Sequence, residues 1–406
     1  MPEQSRSTPR ASPVNDAAAL IIAGGRGTRF WPESRINHPK PLFAIDGKTS
    51  LLEATVSRLQ PLIEAQRVFV LAAAEQAVFF RPILQRLIPP ANLIVEPEGR
   101  GTAVAIAYGV GVIARRLSHQ TVVAVMPADH HVSPPAAFRR TLKVAIETAA
   151  NHASIVVIGV EPNRPETGYG YLKVGNPLPA ARIGRENSGV GFLADATRRV
   201  YKTATSRRWT ARSDDRETNE STAAFRLDRF VEKPNAATAA KMIQSGSYLW
   251  NAGMFVMRAA TLRAELAKHA PALAEVMRSF PSMASTRLKQ EYRKLKFDSF
   301  DRVVAEKSRN VLGVRARFAW HDVGSWDGLW EALRGHGRNV LSGKVLNIGG
   351  DGVLARARDH LVVLLGVRDI IAVETGDAIL IAERRQSQDV RKVIDELKRR
   401  GLGRYL

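Results

Sequence analysis

The chain has 406 residues, 45% of them hydrophobic and 24% charged, a composition that excludes a disordered or fibrous protein. Its length suits one large domain and a smaller one. It contains no cysteine, which excludes disulfides, thiolate metal sites and a cysteine nucleophile, so any metal must bind to oxygen or imidazole ligands.

The formal net charge of +21 raises the question of whether the partner is a nucleic acid. The basic residues are spread along the whole sequence in short pairs such as Arg198-Arg199, and no aromatic-interleaved RNA-binding motif accompanies them. We therefore expect a solvated basic surface that attracts anionic phosphate substrates, and no nucleic-acid partner.

Residues 1–16 are polar and rich in Ser and Pro, and we expect a disordered tail there. This segment lacks the apolar core of a signal peptide, and no apolar run in the chain reaches membrane-spanning length. The sequence thus predicts a cytoplasmic protein without a membrane partner.

The first predicted strand, residues 19–23, opens into a glycine-rich turn that carries several cations. The turn reads GGRGTRFWP at residues 24–32, and PKP follows at residues 39–41. Glycines let the backbone approach a ligand with its N–H groups pointed at it, while Arg26, Arg29 and Lys40 supply positive charge. The segment is therefore predicted to hold the phosphates of a nucleotide.

Two better-known phosphate-binding patterns do not fit. A Rossmann G-x-G-x-x-G loop would need a glycine where Phe30 stands. Gly47-Lys48-Thr49 matches the end of a Walker loop, but Leu42 occupies the place of its first glycine. Residues 46–47 are instead predicted to form a hairpin turn, and Ser50-Leu51-Leu52-Glu53 a capping box that opens a helix.

From residue 19 to about residue 160, apolar β-rich runs alternate with helical patterns. This alternation predicts an α/β protein with a mostly parallel sheet covered on both faces. The predicted strands are 19–23, 68–72, 93–95 and 121–126, with helices after residues 50, 102 and 135. Ligands of such sheets bind beyond the carboxyl ends of the strands, where the loops after Ile22, Val95 and Met126 converge.

The turn at 24–32 and the Pro39-Lys40 pair resemble the opening motif of the sugar-nucleotide pyrophosphorylases, G-G-x-G-T-R-[LF]-x-P followed by Pro-Lys. The resemblance implies a Rossmann-like nucleotide-diphospho-sugar transferase fold, in which this turn embraces a nucleoside triphosphate. It gives Arg29 and Lys40 catalytic contacts with the phosphates. It also implies that the nucleotide is bound by Ala23, Gly24, Gly25, Gly27 and Thr28.

A second motif, EPEGRGTA at residues 96–103, leads from a predicted strand into a helix whose N-terminus can accept an anion or a base edge. It resembles the E-P-x-G-R-N-T-A string of the guanylyltransferase branch that acts on mannose 1-phosphate. Gly101 replaces the Asn of that string, which removes a side-chain contact with the base, and Thr102 has helix N-cap as an alternative role. The resemblance implies nucleotide contacts from Glu96, Gly99, Arg100 and Thr102.

Two carboxylates far apart in the chain each follow a predicted strand, Asp129 after the strand that ends at Met126 and Asp322 after the β-like segment 311–320. Carboxylates suit Mg²⁺, which binds one or two of them plus substrate phosphates, although each Asp alone also fits a turn or helix N-cap. Their strings, PADH and DVGSW, resemble those that hold the catalytic metal in the family. The resemblance implies that Asp129 and Asp322 bind Mg²⁺, with Mn²⁺ as the alternative. We interpret the neighbouring histidines as structural, namely His130, His131 and His321.

Further strings resemble the sugar-site segments of the family, ETGYGY at 166–171, FVEKP at 230–234 and WNAGMF at 250–255. The first two bracket a polar, aperiodic stretch at about 177–223, which we predict to be an inserted loop or hairpin. The string SFDRVVAEK at 299–307 is similar to the family's S-I-D-Y-A-V-M-E-K. The resemblance implies that Lys233 contacts the sugar phosphate and that the hexose is bound by Gly168, Tyr169, Glu232 and Asn251.

From residue 338 to 384, short β-like segments broken by Gly and Asp favour coils of a β-helix. Residues 388–400 are then typical of an amphipathic helix, with Val390, Val393, Ile394 and Leu397 on one face. The expected organisation is a catalytic domain at 17–337 and a β-helix-like domain at 338–406. The chain stops where longer relatives add an isomerase domain, so we expect that second activity to be absent.

The resemblance implies guanylyl transfer from GTP to α-D-mannose 1-phosphate, which gives GDP-mannose and diphosphate without a covalent intermediate. Two alternatives stay open, transfer to another sugar 1-phosphate of the heptose, fucose or glucose type, and a non-catalytic nucleotide sensor with the same fold. The presence of Lys40, Lys233, Asp129 and Asp322 argues against the sensor. The sequence does not determine the oligomeric state, for which a homodimer is one option.

Overall fold

The computed structural model describes residues 13–25, 27–179, 224–296 and 298–406. Three segments lie outside these ranges, namely residues 1–12 of the expected tail, Arg26 of the glycine-rich turn and residues 180–223 of the expected insert. Residues 13–16 form a turn, and Val14 within it is buried against the core of the large sheet. No helix in the described ranges is both long enough and apolar enough to cross a membrane.

Strands in the described part of the chain form three sheets, of nine, two and four strands. In chain order they are β1 Ala18–Ile22, β2 Val68–Ala73, β3 Leu93–Glu96, β4 Val122–Pro127, β5 His131–Ser133, β6 Ile155–Val160, β7 Gly170–Pro177, β8 Ala224–Glu232, β9 Tyr248–Arg258, β10 Val311–Arg315, β11 Ala319–His321, β12 Val340–Ile348, β13 Leu354–Leu365, β14 Ile370–Glu374 and β15 Ile379–Glu383.

Helices follow most of these strands. In chain order they are α1 Leu51–Leu59, α2 Ala74–Leu84, α3 Thr102–Arg116, α4 Pro135–His152, α5 Ala236–Gln244, α6 Ala259–His269, α7 Pro271–Ser279, α8 Ser285–Lys294, α9 Trp326–Leu333 and α10 Arg391–Arg399. Helix α1 begins at the predicted capping box, in which Ser50 Oγ accepts the Glu53 N–H while the Glu53 carboxylate accepts the Ser50 N–H. The turn before it is closed by Asp46, whose carboxylate accepts the N–H groups of Lys48 and Thr49.

The nine-stranded sheet has the order β3-β2-β1-β4-β9-β6-β10-β8-β7, with β7 also paired to β9. Parallel ladders join β3, β2, β1 and β4, and another joins β6 to β10. Strands β8 and β9 run against their neighbours, so the expected mostly parallel sheet is a mixed one in which the other strands share one direction. The carboxyl ends of β1, β3 and β4 therefore lie at one edge, and the loops that follow them converge there.

Side chains of β1 alternate between two buried layers, which is why this strand is apolar throughout. Ala19 and Ile21 pack on the face covered by α1, α2 and α4. Ala18 and Leu20 pack on the opposite face, which α3, α6 and α7 cover. The helices on both faces thus leave the loops at the sheet edge free to build a site.

The C-terminal region is a four-stranded sheet in which β12, β13 and β14 are parallel and β15 is antiparallel to β14. Successive parallel strands joined by turns correspond to the β-helical coils expected from the sequence. Residues 384–390 form a 3₁₀ segment, so helix α10 begins at Arg391. Val390 is buried and the other apolar residues of the predicted face are partly buried.

One apolar cluster joins this C-terminal sheet to the part of the chain that builds the large sheet, and we call it the junction cluster. It combines residues of the first loop, by which we mean residues 23–50 between β1 and α1, with residues at the start of α1, after Asp322 and in the C-terminal region. Its buried members are Phe30, Trp31, Phe43, Ile45, Leu51, Val323, Trp326, Leu329, Trp330, Val340, Leu354, Ile371, Val373, Leu380 and Val390.

Candidate active site

A cleft of about 520 Å³ opens at the carboxyl edge of the large sheet. Segments from the nucleotide motifs and from the sugar motifs surround it together. The sequence-predicted residues that line it are Gly24, Gly25, Glu96, Gly99, Thr102, Asp129, Gly168, Tyr169, Glu232, Asn251 and Asp322. Those that do not are Ala23, Gly27, Thr28, Arg29, Lys40, Arg100 and Lys233.

A second cavity, of about 880 Å³, lies between the first loop and the C-terminal sheet. It is the larger of the two, yet none of the sequence-predicted site residues lines it. Because the motif residues converge on the smaller cleft, we take that cleft as the candidate active site.

Asp129 and Asp322 approach each other through the short antiparallel pair of β5 and β11. In this pair His321 lies opposite His131, so the residues just before β5 and just after β11 leave it at the same end. Lys40 joins the two segments, since its Nζ donates to Oδ2 of Asp129 at 2.7 Å and to the backbone oxygen of Asp322 at 3.0 Å. Through Lys40 the first loop thus contacts the segments of both carboxylates.

The surroundings of Asp129 keep its carboxylate ionised. Burial acts to raise its pKa, but the ammonium of Lys40, which also donates a hydrogen bond to the carboxylate, outweighs this effect and holds the pKa below its ordinary value. Asp322 lies near the hydroxyl of Tyr169, and its Oδ1 accepts the N–H of Gly324 at 3.2 Å. Two oriented carboxylates therefore flank the cleft.

The histidines beside these carboxylates are neutral. Burial lowers the pKa of His130 and that of His321 to about 4 in each case. The ring of His130 is also fixed, because its Nδ1 accepts the indole N–H of Trp320 at 3.1 Å. This contact supports a structural role for His130.

The first loop depends on glycine at position 27. Gly27 has a φ of 60°, in the left-handed region, and a Cβ there would lie 2.5 Å from Oγ of Ser34 and 2.6 Å from Cβ of Lys40. The absent side chain lets the segment around Lys40 pack against the turn. Arg29 is exposed in the 3₁₀ turn Thr28–Phe30.

The nucleotide motif after β3 is tied to helix α8. Glu96 is 6% exposed and its Oε2 accepts the hydroxyl of Tyr292 at 2.5 Å. Burial raises the pKa of the Glu96 carboxyl to about 7, against the lowering effect of that hydrogen bond. Arg100, in contrast, folds back onto Glu98, with 2.7 Å between Nη2 and Oε1.

Helix α3 does not have Thr102 as its N-cap. The N-cap is Gly101, and the hydroxyl of Thr102 accepts the N–H of Phe300 at 3.0 Å, so the N-cap role for Thr102 is wrong. Gly101 has φ 90° and ψ 162°, a conformation that is almost confined to glycine. A backbone requirement therefore accounts for glycine where the related string has Asn.

The opposite wall of the cleft is polar. Asn251 donates from Nδ2 to Oδ1 of Asp301 at 2.7 Å, and Lys233 pairs with Glu232, with 3.0 Å between Nζ and Oε1. Burial and the nearby charge of Asp301 raise the pKa of Glu232. Asp301 lines the cleft from a π-helical turn, Asp301–Ala305. Sequence reasoning recognised the string 299–307 that contains it but gave it no role.

The described residues include no group of three or more His, Asp or Glu side chains arranged to hold a metal ion. Two carboxylates at a cleft nevertheless suit Mg²⁺, which takes few protein ligands and completes its coordination with phosphate oxygens and water. The residues present thus fit a metal that arrives with a phosphate ligand.

A sheet covered by helices on both faces, with a glycine-rich cationic loop and two carboxylates at its carboxyl edge, is suited to binding a nucleotide together with a metal ion. Comparison with known families agrees. The chain belongs to the nucleotidyl transferase family, whose model matches residues 18–185 and 213–338. Residues 343–397 match the MannoseP isomerase/GMP-like beta-helix domain, which confirms the expected character of the C-terminal region.

Characterised proteins resemble the chain over nearly its whole length. Xanthan biosynthesis protein XanB of Xanthomonas campestris pv. campestris is 32% identical over 396 residues, which cover 96% of this chain and 74% of that protein. A mannose-1-phosphate guanylyltransferase of Escherichia coli is 32% identical over 94% of this chain and 73% of its own length.

A solved structure also resembles the chain. The crystal structure described as mannose-1-phosphate geranyltransferase from Thermus thermophilus aligns with a TM-score of 0.77 and 31% identity, over 94% of this chain and 99% of that one. The predicted fold class, the family resemblance and the prediction of a nucleotidyltransferase are confirmed.

Proposed function

We propose that the protein catalyses the reaction of GTP with α-D-mannose 1-phosphate to give GDP-mannose and diphosphate. The main support is that one cleft is bounded by the nucleotide-motif residues on one side and the sugar-motif residues on the other. The Escherichia coli relative, a mannose-1-phosphate guanylyltransferase, supports the choice of substrates.

The reaction needs no protein nucleophile, because the sugar phosphate is itself a competent one. An oxygen of the sugar phosphate attacks the α-phosphorus of the triphosphate, and the bond from that phosphorus to the β-phosphate oxygen breaks in line with the attack. Catalysis is then alignment of the two phosphates and stabilisation of their charge.

Separate groups of residues bind the two substrates. The triphosphate is bound by the backbone of Ala23, Gly24, Gly25, Gly27 and Thr28, while Arg29 and Lys40 stabilise charge on it. Lys233 binds the phosphate of the sugar, and the hexose hydroxyls face Glu232, Asn251 and Tyr169. Mg²⁺, or Mn²⁺ in its place, held by Asp129 and Asp322 would neutralise phosphate charge in this site.

A diphosphate-release assay tests the proposal. GTP, ATP, UTP and dTTP are each combined with mannose, glucose, fucose and heptose 1-phosphates in the presence of Mg²⁺. We expect GTP with mannose 1-phosphate to react fastest. Faster release with another sugar would assign the acceptor differently, and no release with any pair would favour a non-catalytic nucleotide sensor.

A further inference from the structure

A buried arginine of the C-terminal sheet donates hydrogen bonds to residues of the first loop on both sides of Lys40 in the chain. Arg356 on β13 is 7% exposed and donates from Nε and Nη2 to the carboxylate of Glu33, at 2.7 and 3.2 Å. It also donates from Nη1 to the backbone oxygen of Ile45 at 2.8 Å and from Nη2 to that of Ala44 at 2.9 Å. Its acceptors thus precede and follow Lys40 in the chain, which ties both ends of the segment that carries the ammonium.

Two further contacts hold the same loop to other parts of the C-terminal region. Arg35 forms a bidentate pair with Asp377, in the turn between β14 and β15, at 2.6 and 2.7 Å. The indole N–H of Trp31 donates to the backbone oxygen of Tyr405, near the end of the chain, at 2.8 Å. The loop is therefore fixed at three separate points.

The segment that carries Asp322 also packs against the C-terminal region. Val323 and Trp326, which follow Asp322 closely, are buried in the junction cluster together with Phe30 and Phe43 of the loop. The indole N–H of Trp326 donates to the backbone oxygen of Trp31 at 3.1 Å. The position of Lys40 relative to Asp322 thus depends on how both segments pack against the C-terminal sheet.

We propose that the C-terminal sheet is a positioning element of the triphosphate site and that Arg356 is its principal positioning residue. Arg356 does not line the cleft, so it acts through the loop, whose position brings Lys40 to Asp129 and Asp322. A planar guanidinium with acceptors in a single loop specifies the position of that loop as well as its stability. The inference rests on the proposed function only in taking a nucleoside triphosphate as the ligand of the loop.

The test compares the full chain with its Arg356→Met variant, which keeps much of the side-chain volume and loses every donor. Because a small misplacement of catalytic groups is costly, we expect kcat to fall and KM for GTP to rise, each by about tenfold or more. KM for mannose 1-phosphate should stay within about twofold, since Lys233 and Asn251 lie on other elements. Arg356→Lys should recover only part of the loss, because an ammonium cannot reproduce the planar fork.

Arg258→Met is the matched control. Arg258 also donates to a backbone oxygen, that of Ala150 at 2.7 Å, but it lies opposite Val122 at the amino end of β4, away from the cleft. It should lower thermal stability without changing KM for GTP. Equal kinetic constants in Arg356→Met and Arg258→Met would overturn the inference.

Further measurements keep the inference testable if Arg356→Met does not fold or if no turnover is found. Glu33→Gln weakens the same contact and should shift KM for GTP in the same direction, and an unchanged KM overturns the inference. Calorimetric titration with GTP and Mg²⁺ separates the two proposals. A wild-type chain that binds GTP but releases no diphosphate contradicts the proposed reaction, while equal GTP affinity in wild type and Arg356→Met contradicts the positioning role. A wild-type chain that binds no triphosphate overturns both.

Discussion

Lys40 is the residue at which the first loop meets both carboxylate segments. Its side chain is 10% exposed, and its Nζ bonds to Asp129 and to a backbone oxygen 282 positions away, that of Asp322. Local motifs were sufficient to single out the three residues one by one. Their contacts were not predictable, because no pattern within a short window encodes a partner so distant in the chain.

We expect Asp322→Asn to lower kcat by roughly 10²- to 10³-fold, because it removes one of the two carboxylates proposed to hold the Mg²⁺ that neutralises phosphate charge. The fold should persist, since the Asn side chain can still accept the hydrogen bond from the N–H of Gly324. Turnover is measured by diphosphate release and the fold by circular dichroism. Asp351→Asn, which removes a surface pair with Arg338, is the control and should leave kcat unchanged. Near-normal turnover in Asp322→Asn would contradict its assignment as a metal ligand.

Glu96 should make stability depend on pH. Its pKa is raised by burial from 4.5 to about 7, so between these values the folded chain keeps a proton that the unfolded chain releases. The free energy of unfolding should therefore fall as pH rises through this window, by about 3 kcal/mol if this group acts alone. Urea unfolding at pH 4.5 and pH 8 measures the difference.

The matched variants separate Glu96 from other titrating groups. Glu96→Gln removes the titration while it keeps an acceptor for Tyr292, so the fall should largely disappear. Glu291→Gln, on the exposed side of the same helix as Tyr292, should keep the wild-type profile. A Glu96→Gln variant with an undiminished pH dependence would show that another group is responsible.

Among elements, the prediction succeeded where the hydrophobic pattern was strong. Strands β1 to β4 and helices α1, α3 and α4 occur close to their expected positions, because buried strands and capped amphipathic helices leave a local signal. Helix α2 and the three-residue strand β5 were not predicted, and the three-residue strand β11 lies at the end of the β-like segment expected at 311–320. Strands this short have no periodicity to read, and they exist because they pair with each other.

Gly101 permits a testable prediction about the start of α3. Its φ of 90° with ψ of 162° strains any residue with a Cβ, so Gly101→Ala should lower the free energy of unfolding by about 1–3 kcal/mol. Gly99→Ala is the control in the same loop, because a Cβ there would meet nothing within 4 Å. Chemical denaturation of the three proteins measures the difference, and equal stability would argue against the strained geometry.

At the scale of the whole molecule, the C-terminal sheet and the catalytic part share the junction cluster. Phe30 and Trp326 lie in the catalytic part, yet they pack in the same apolar cluster as Leu354 and Val373 of the C-terminal sheet. Neither part can separate without exposing this surface to water. The two sequence-defined parts are therefore expected to be mutually stabilising.

We accordingly expect a single cooperative thermal transition. Differential scanning calorimetry should give a calorimetric enthalpy close to the van't Hoff enthalpy, as for a two-state unit. Two resolved transitions would contradict the energetic role given to the junction cluster. The control is the Ile381→Ser variant, since Ile381 is 72% exposed on β15 and should not change the number of transitions.

Local patterns in the amino-acid sequence were sufficient to predict the class of fold and the nucleotidyl transferase family. Glycines, cations and carboxylates occur at local spacings that their roles require, and apolar periodicity marks the main strands and helices. Only the tertiary structure decided which of these groups meet. The β5–β11 pair brings the segments of Asp129 and Asp322 together, and Arg356 ties the Lys40 loop to a sheet more than 300 positions later. Such long-range contacts depend on the packing of the whole chain, which no single segment specifies.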